Sequence, residues 1–238
     1  MIMQYMGSKN RISKYIIPFI RHYRKPGSWY VEPFVGGCNM IDKIRVKRIG
    51  ADNNKYLIAF LKKIQSGHIF TPKISKDMHD EAKKNFDGLL NSMPDYLIGF
   101  IGFVGSYRGI FFSGYAGNAT NNKNYIKAFY GSVKKQQKSI QGVKFIYSSY
   151  DKLDIPDGSV VYCDPPYKGV TIYKSNKEKF NHDRFWQWCR KTAKKNIVLV
   201  SEYQAPKDIE CVLRIPHSCN LRNSNIQRTE KLFKLGGD

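Results

Sequence analysis

Paired cysteines are missing from this chain. Its five cysteines, Cys38, Cys163, Cys189, Cys211 and Cys219, are odd in number and form no Cys-x-x-Cys pair. That excludes a disulfide framework and predicts free thiols in a reducing compartment. The five histidines show no paired ligand spacing, so no metal site is expected. No apolar run approaches the roughly 20 residues of a membrane span. Met1 to Ile20 is interrupted by Lys9, Arg11 and Lys14 and lacks a signal-peptide core. A soluble, intracellular chain is therefore expected. There is no internal repeat and no low-complexity tract. Acidic residues are scarce: 19 Asp and Glu stand against 40 Lys and Arg, a formal net charge of +21 over 238 residues. Self-repulsion on that scale calls for a polyanionic partner, nucleic acid first and an anionic membrane second.

What the chain does contain is organised around Val160-Val161-Tyr162-Cys163-Asp164-Pro165-Pro166-Tyr167. The apolar run reads as a buried strand, ended by the prolines. Asp164 then sits at the carboxyl edge of a sheet, where ligands bind in open α/β folds. An ionised Asp164 only accepts hydrogen bonds, and the two prolines keep their carbonyls available. Tyr167 adds a flat ring on which a base can stack. Acceptors beside a stacking face suit a flat molecule with an exocyclic amine, such as a nucleobase. Taken alone, Asp-Pro-Pro is equally compatible with a plain proline turn.

Before this stretch, Gly7-Ser8 reads as a tight turn, with Ser8 capping a helix that carries Ile12, Ile16, Ile17 and Ile20. Lys9 and Arg11 at that helix start are disfavoured by its dipole, which hints at an anionic ligand. Within Ser28 to Cys38 a short apolar strand ends in Glu32 and Pro33, and Gly36-Gly37 opens a helix expected over Asn39 to Ile44. Such a turn lets backbone N–H groups approach a ligand, although the G-x-G-x-x-G fingerprint is absent. Within Val46 to Asn54 a second strand ends in Asp52. Its Asp52 suits either ribose hydroxyls or the cap of a helix over Tyr56 to Ile64. Residues 66 to 142 are the least sheet-like, with helices expected over Ser75 to Asn91, Pro94 to Val104 and Asn124 to Ser139. Between the last two, Gly105 to Asn118 is a long loop or hairpin. Strands follow at Val143 to Tyr147, Ile197 to Tyr203 and Cys211 to Ile215. Asp183 to Lys194 is helical, Lys168 to Lys179 a polar loop, Arg222 to Gln227 a turn, and Thr229 to Leu235 an antiparallel edge strand.

Four pieces stand in one order: Tyr5-Met6-Gly7-Ser8-Lys9, Glu32-Pro33-Phe34-Val35-Gly36-Gly37, Ala51-Asp52-Asn53 and Asp164-Pro165-Pro166-Tyr167. In this the chain resembles the Dam-type (D12 class, α-group) adenine-N6 DNA methyltransferases, from about residue 4 to Arg228-Thr229-Glu230-Lys231-Leu232-Phe233. The resemblance implies an α/β, Rossmann-like fold with a mostly parallel seven-stranded sheet. A catalytic domain would comprise residues 1–65 and 143–238, with an inserted helical target-recognition region at 66–142. S-adenosyl-L-methionine would be the cofactor. Tyr5, Lys9, Glu32, Pro33, Phe34, Gly36, Gly37, Asp52 and Asp164 would contact it, with Asp52 on the ribose. Asp164, Pro165, Pro166 and Tyr167 would form the catalytic box that holds a flipped adenine. Arg108, Lys123, Lys127 and Lys134 would contact double-stranded DNA. The Tyr107-Arg108-Gly109-Ile110-Phe111 run does not match the family's GATC readers, which leaves the target sequence open. Cytosine-N4 methylation, RNA methylation and a catalytically silent DNA-binding relative remain alternatives. A monomer is expected, or a dimer on DNA, in the cytoplasm of a bacterial or phage-infected cell. With no visible endonuclease segment, a role in restriction would need a separate protein.

Overall fold

The computed structural model describes residues 5, 7–118, 125–168, 180–221 and 224–237, and the backbone alone for 118, 217–221 and 224–228. Its strands are β1 (Tyr30–Glu32), β2 (Arg48–Asp52), β3 (Val143–Tyr147), β4 (Val160–Cys163), β5 (Ile197–Glu202), β6 (Glu210–Leu221) and β7 (Ser224–Leu235). Its helices are α1 (Ser13–Tyr23), α2 (Lys55–Gln65), α3 (Lys76–Phe86), α4 (Asp95–Val104), α5 (Tyr125–Gln137) and α6 (His182–Ala193). The strands form one sheet in the order β3-β2-β1-β4-β5-β7-β6. β1 to β5 run parallel, and β7 enters antiparallel between β5 and β6. The strand order reverses between β1 and β4, which opens a crevice at their carboxyl ends.

Parallel strands covered on both faces read as continuous apolar runs, and β4 is buried along its whole length. Its side chains alternate between two layers. Val160 and Tyr162 join one cluster with Tyr30, Leu199 and the inward faces of α1, α2, α4 and α5. Val161 and Cys163 join the other with Val31, Val198, Val200 and the α6 residues Phe185, Trp186 and Cys189. Among the described residues no helix is long and apolar enough to cross a membrane.

Several local expectations are revised. The helix expected over Asn39 to Ile44 is only a 3-10 turn at Ile41–Lys43. The chain leaves the Gly36 turn with Cys38 also at positive φ (59°), and must reach β2 within a few residues. Ser8 caps a 3-10 turn at Lys9–Arg11 rather than α1. α3 stops at Phe86, where Asp87 closes it and Gly88 turns at φ 77°. β6 runs well past Ile215, and residues 224–227 are strand rather than turn. β7 is not an edge strand: after β6 the chain folds back inside, and β7 inserts between β5 and β6, which leaves β6 at the edge. Most of the polar loop expected at Lys168 to Lys179 lies outside the described residues.

The stretch after α4 is bridged like a hairpin, Ser106 to Tyr115. Tyr107 N–H donates to Gly114 O (2.9 Å) and Ala116 N–H to Gly105 O (2.8 Å). Phe111 packs on Tyr56, Phe86 and Phe103, and Phe112 on Phe86 and His79. At the other side of the sheet, β5 ends at Glu202, opposite Lys231, while β6 and β7 stay paired as far as Leu221 and Ser224.

Candidate active site

The parallel strands deliver carboxylates to one edge. Glu32 ends β1, Asp52 ends β2, Asp164 follows β4, and Glu202 ends β5. From the antiparallel β7, Glu230 joins them through its contacts with Lys9 and Tyr167.

The first half of the site is the loop after β1. Val35 N–H donates to Ala51 O (2.8 Å), which ties the loop to β2. The Asp52 carboxylate accepts from Gly36 N–H (3.2 Å) and Asn54 N–H (3.0 Å). The helix-capping role belongs to Asn54, whose Oδ1 accepts from Tyr56 and Leu57 N–H. Burial pushes Asp52 up to about 6, against the N–H groups of Asn54, Gly36 and Asn53. Gly36 sits at φ 45°. A Cβ on Gly37 would lie 2.6 Å from Tyr5 Cβ, and one on Gly36 2.9 Å from the Tyr5 ring. Only glycines let the loop and the N-terminal segment approach so closely. Glu32 is 2% exposed and accepts from the Tyr30 hydroxyl (2.7 Å); burial raises its pKa well above the ordinary range. Phe34 stacks on Tyr150 at 5.4 Å and meets Phe180 and Phe185 edge-on, which forms an aromatic wall. The loop is braced from behind: Gln136 of α5 donates to Gly37 O (3.0 Å) and Cys38 O (3.2 Å).

The second half surrounds Asp164. Lys9 Nζ lies 3.0 Å from Asp164 Oδ1 and 3.6 Å from Glu230 Oε1. It donates to Gly7 O (3.2 Å) and sits 4.5 Å from the centroid of the Tyr167 ring. The Tyr167 hydroxyl donates to Glu230, and its ring meets Tyr203 edge-on at 4.8 Å. Glu202 accepts from Lys168 N–H (3.2 Å) and Tyr203 N–H (2.7 Å), so it fixes the chain as it leaves the box. Pro165 is buried and Pro166 half-buried. Burial pushes Asp164 up to about 6; Lys9 pulls it down and Glu230 pushes it up. Burial likewise brings Glu202 to about 7. Burial works against the Lys9 ammonium, but Asp164 and Glu230 outweigh it and raise its pKa. Asp164 keeps 22% of its side-chain surface open, so it is an ionised acceptor with access to solvent at neutral pH.

Of the residues singled out in the sequence, Tyr5, Gly36, Gly37 and Asp52 come together around one loop, and Lys9, Asp164 and Tyr167 around one cation. Arg108, exposed and at φ 57°, stands in the bridged loop after α4. Lys127 and Lys134 are exposed on α5, whose Ile126, Phe129 and Val133 are buried. None of the three joins the Asp164 cluster. Lys123 lies outside the described residues. Sequence reasoning did not single out Glu202, Glu230, Tyr150 or Gln136. For Glu202 a signal existed, an acid at the end of an apolar strand, the pattern that marked Asp164. Glu230 is one charge among several in a mixed strand, between Arg228 and Lys231. Tyr150 and Gln136 carry no local signal.

Buried Cys38 and Cys163 have their pKa values raised by burial, which keeps them as thiols rather than nucleophilic thiolates. The chain is similar over 96% of its length to a Haemophilus influenzae protein described as a methylase, at 11% identity, 88% coverage of that chain and a TM-score of 0.34. It is also similar to a protein described as an rRNA methylase from Clostridium thermocellum, at 10% identity, 96% of each chain and a TM-score of 0.39. A methyltransferase solved with S-adenosylhomocysteine matches at 10% identity and a TM-score of 0.39, over 98% of this chain and 53% of that one. No curated protein sequence matches. The family model for D12 class N6 adenine-specific DNA methyltransferases matches residues 5–98 and 71–231. That match takes in both halves of the site and nearly the whole chain, so the protein belongs to the D12 class N6 adenine-specific DNA methyltransferase family, whose members methylate adenine in DNA with S-adenosylmethionine.

Proposed function

We propose that the enzyme methylates N6 of an adenine flipped out of duplex DNA, with Asp164, the Pro165 carbonyl and Tyr167 as the groups that hold the base. The observation that carries this reading is the Asp164 carboxylate, ionised and partly open, beside the Tyr167 ring at the carboxyl end of β4. N6 cannot be aligned for reaction inside the stack, so the base has to leave it.

The chain's own residues fit S-adenosylmethionine. The Gly36-Gly37 turn has no room for a Cβ, and its backbone suits close approach by the methionine part. Asp52 is the acceptor for the ribose hydroxyls, and Phe34 with Tyr150 gives an apolar wall. Tyr5, Glu32 and Pro33 shape the same turn. The bound cofactor supplies a methyl group on a positively charged sulfur.

Asp164 and the Pro165 carbonyl accept the two N6–H bonds, which draws the nitrogen lone pair out of conjugation with the ring. Pro166 keeps that backbone extended. As N6 would take the methyl group, the carbon–sulfur bond would break with its electron pair left on the then neutral sulfur, and Asp164 would accept one N6 proton. Positioning supplies much of the acceleration; a well-oriented pair gains roughly 7–11 kcal/mol. Glu230 and Glu202 orient Tyr167, one through its hydroxyl and the other through the N–H of Lys168. Lys9 covers the Tyr167 ring face and occupies Asp164. For a base to stack there the ammonium moves aside, and Glu230 is the second carboxylate that receives it.

Residues 66–142 are the target-recognition region in this reading, supported by exposed Arg108, Lys127 and Lys134.

The test is direct. Unmethylated duplex DNA is incubated with labelled S-adenosylmethionine and digested to nucleosides. Label in N6-methyldeoxyadenosine is expected, and Asp164→Ala should nearly abolish it while DNA affinity changes little. Label in N4-methyldeoxycytidine would overturn the base assignment, and wild-type turnover in Asp164→Ala would overturn the site.

A further inference from the structure

We propose that the free end of the β6–β7 hairpin is a DNA-reading ribbon, a second contact with the substrate distinct from residues 66–142; the proposal rests on the reading of duplex DNA as substrate. Three observations carry it.

The first is reach. β5 ends at Glu202, opposite Lys231. Beyond that point β6 and β7 remain paired from Ile215–Glu230 out to Leu221–Ser224. At roughly 3.3 Å per residue this is a two-stranded arm about 20 Å long. It extends past the carboxyl edge of the sheet, the edge that bears Asp164. A two-stranded ribbon is one of the two elements the major groove of DNA admits.

The second is placement. Glu230, at the root of the arm, is the residue that holds Tyr167 and Lys9. The ribbon therefore starts beside the base-holding groups. It stands at the β6 end of the sheet, whereas residues 66–142 are threaded between β2 and β3 at the other end. DNA lying over the carboxyl edge would be met from both sides.

The third is chemistry. From Cys211 to Thr229 the sequence contains no Asp or Glu. Directly opposed residues share a face, and the faces alternate along a strand. One face thus collects the positions Arg214 with Lys231, Pro216 with Thr229, Ser218 with Gln227, and Asn220 with Asn225. Arg214 is exposed. The opposite face begins with Ile215 and Glu230, both buried in the protein. Asn and Gln amides pair bidentately with adenine, and Arg with guanine, in the major groove. Amide, hydroxyl and basic residue types with no Asp or Glu among them suit base edges and phosphates. They do not suit an apolar partner.

The experiment compares the full-length wild type with the combined variant Asn220→Ala, Asn225→Ala, Gln227→Ala and with Arg214→Ala. Duplex binding is measured over a range of salt, and methylated positions are mapped by sequencing. The combined variant should lose about tenfold to hundredfold in affinity for the preferred duplex and spread its methylation over more sites. Its affinity for S-adenosylmethionine should stay at the wild-type value, which shows that the fold is intact. Arg214→Ala should lower the slope of log affinity against log salt by about 1. Wild-type affinity, salt slope and site pattern in these variants would overturn the ribbon alone. So would a change confined to self-association, which would assign the arm to a second copy of the chain. A wild-type chain that leaves duplex DNA unlabelled would overturn both the duplex reading and the ribbon.

Discussion

Replacing Lys9 by Met removes one charge and keeps the length and apolar stem of the side chain. The consequence can be worked from the site. Asp164 titrates at about 6 because burial raises it, Lys9 at 3.0 Å lowers it, and Glu230 raises it. An opposite charge at that range is worth about 1–3 pK units. Without Lys9 the midpoint of Asp164 should therefore rise to about 7–9. Taking about 8, the ionised fraction at pH 7.5 falls from about 97% to about a quarter. Only the ionised form can take the N6 proton as the new bond forms. The acid limb of kcat/KM for DNA should move up by about 1–3 pH units, with the rate recovering near pH 9. Stability changes with the same sign. A carboxyl raised in the folded state contributes stability that is present at low pH and lost as pH rises through the folded pKa. Lys9→Met should therefore unfold more easily than wild type, by about 1 kcal/mol at pH 7 and nearly 3 kcal/mol above about pH 8.5, with the gap closing towards pH 5. An acid limb that stays at about 6 or falls would refute the reasoning. A raised KM for S-adenosylmethionine with an unmoved limb would instead make Lys9 a cofactor contact.

Glu230→Gln should shift the same limb the other way, to lower pH, because the negative charge that raises Asp164 is gone; kcat should fall about tenfold as Tyr167 loses its charged acceptor, and an unshifted pH profile would count against the ion cluster. Asp52→Ala should weaken S-adenosylmethionine binding at least about tenfold with a smaller effect on kcat, since it removes the acceptor that also holds Gly36 N–H; unchanged binding by calorimetry would remove Asp52 from the cofactor site. Gly99→Ala should destabilise the protein in urea by about 1–2 kcal/mol. Its Cβ would come within 2.2 Å of Tyr56 O, a backbone atom of α2, which outweighs the gain in helix propensity; a neutral or stabilised variant would mean that α2 and α4 can separate freely.

The parallel core was legible because burial on both faces leaves a plain trace. The runs at 160–163 and 197–200 contain no polar residue, and both are central strands. The helix start after β2 was readable from its polar cap, although the cap is Asn54 and not Asp52. The 39–44 region misled because its apolar residues mimic a helical pattern while Cys38 at positive φ sends the chain elsewhere. Strand order was the harder question. Thr229 to Leu235 has the same alternation whether β6 lies outside it or not, so its interior position could not be read locally. In the site, Asp164, Tyr167 and the two glycines were legible as types at strand ends. Their partners were not. Lys9 meets Asp164 and Glu230 across most of the chain, and such pairing depends on which strands become neighbours.

The loop after α4 is closed at its base and held from inside. The Ser106–Tyr115 bridge shuts it, while Phe111 and Phe112 fix it to α2, α3 and α4. Tyr107, Arg108 and Ser113 lie between those fixed points. Substitution or lengthening there is decoupled from the core, so drift in that segment is cheap for folding. On the proposed reading of residues 66–142, a lineage could change which DNA sequence it marks through this cassette while Asp164 and its neighbours stay as they are. A protein engineer could graft the segment between relatives with the bridge residues retained.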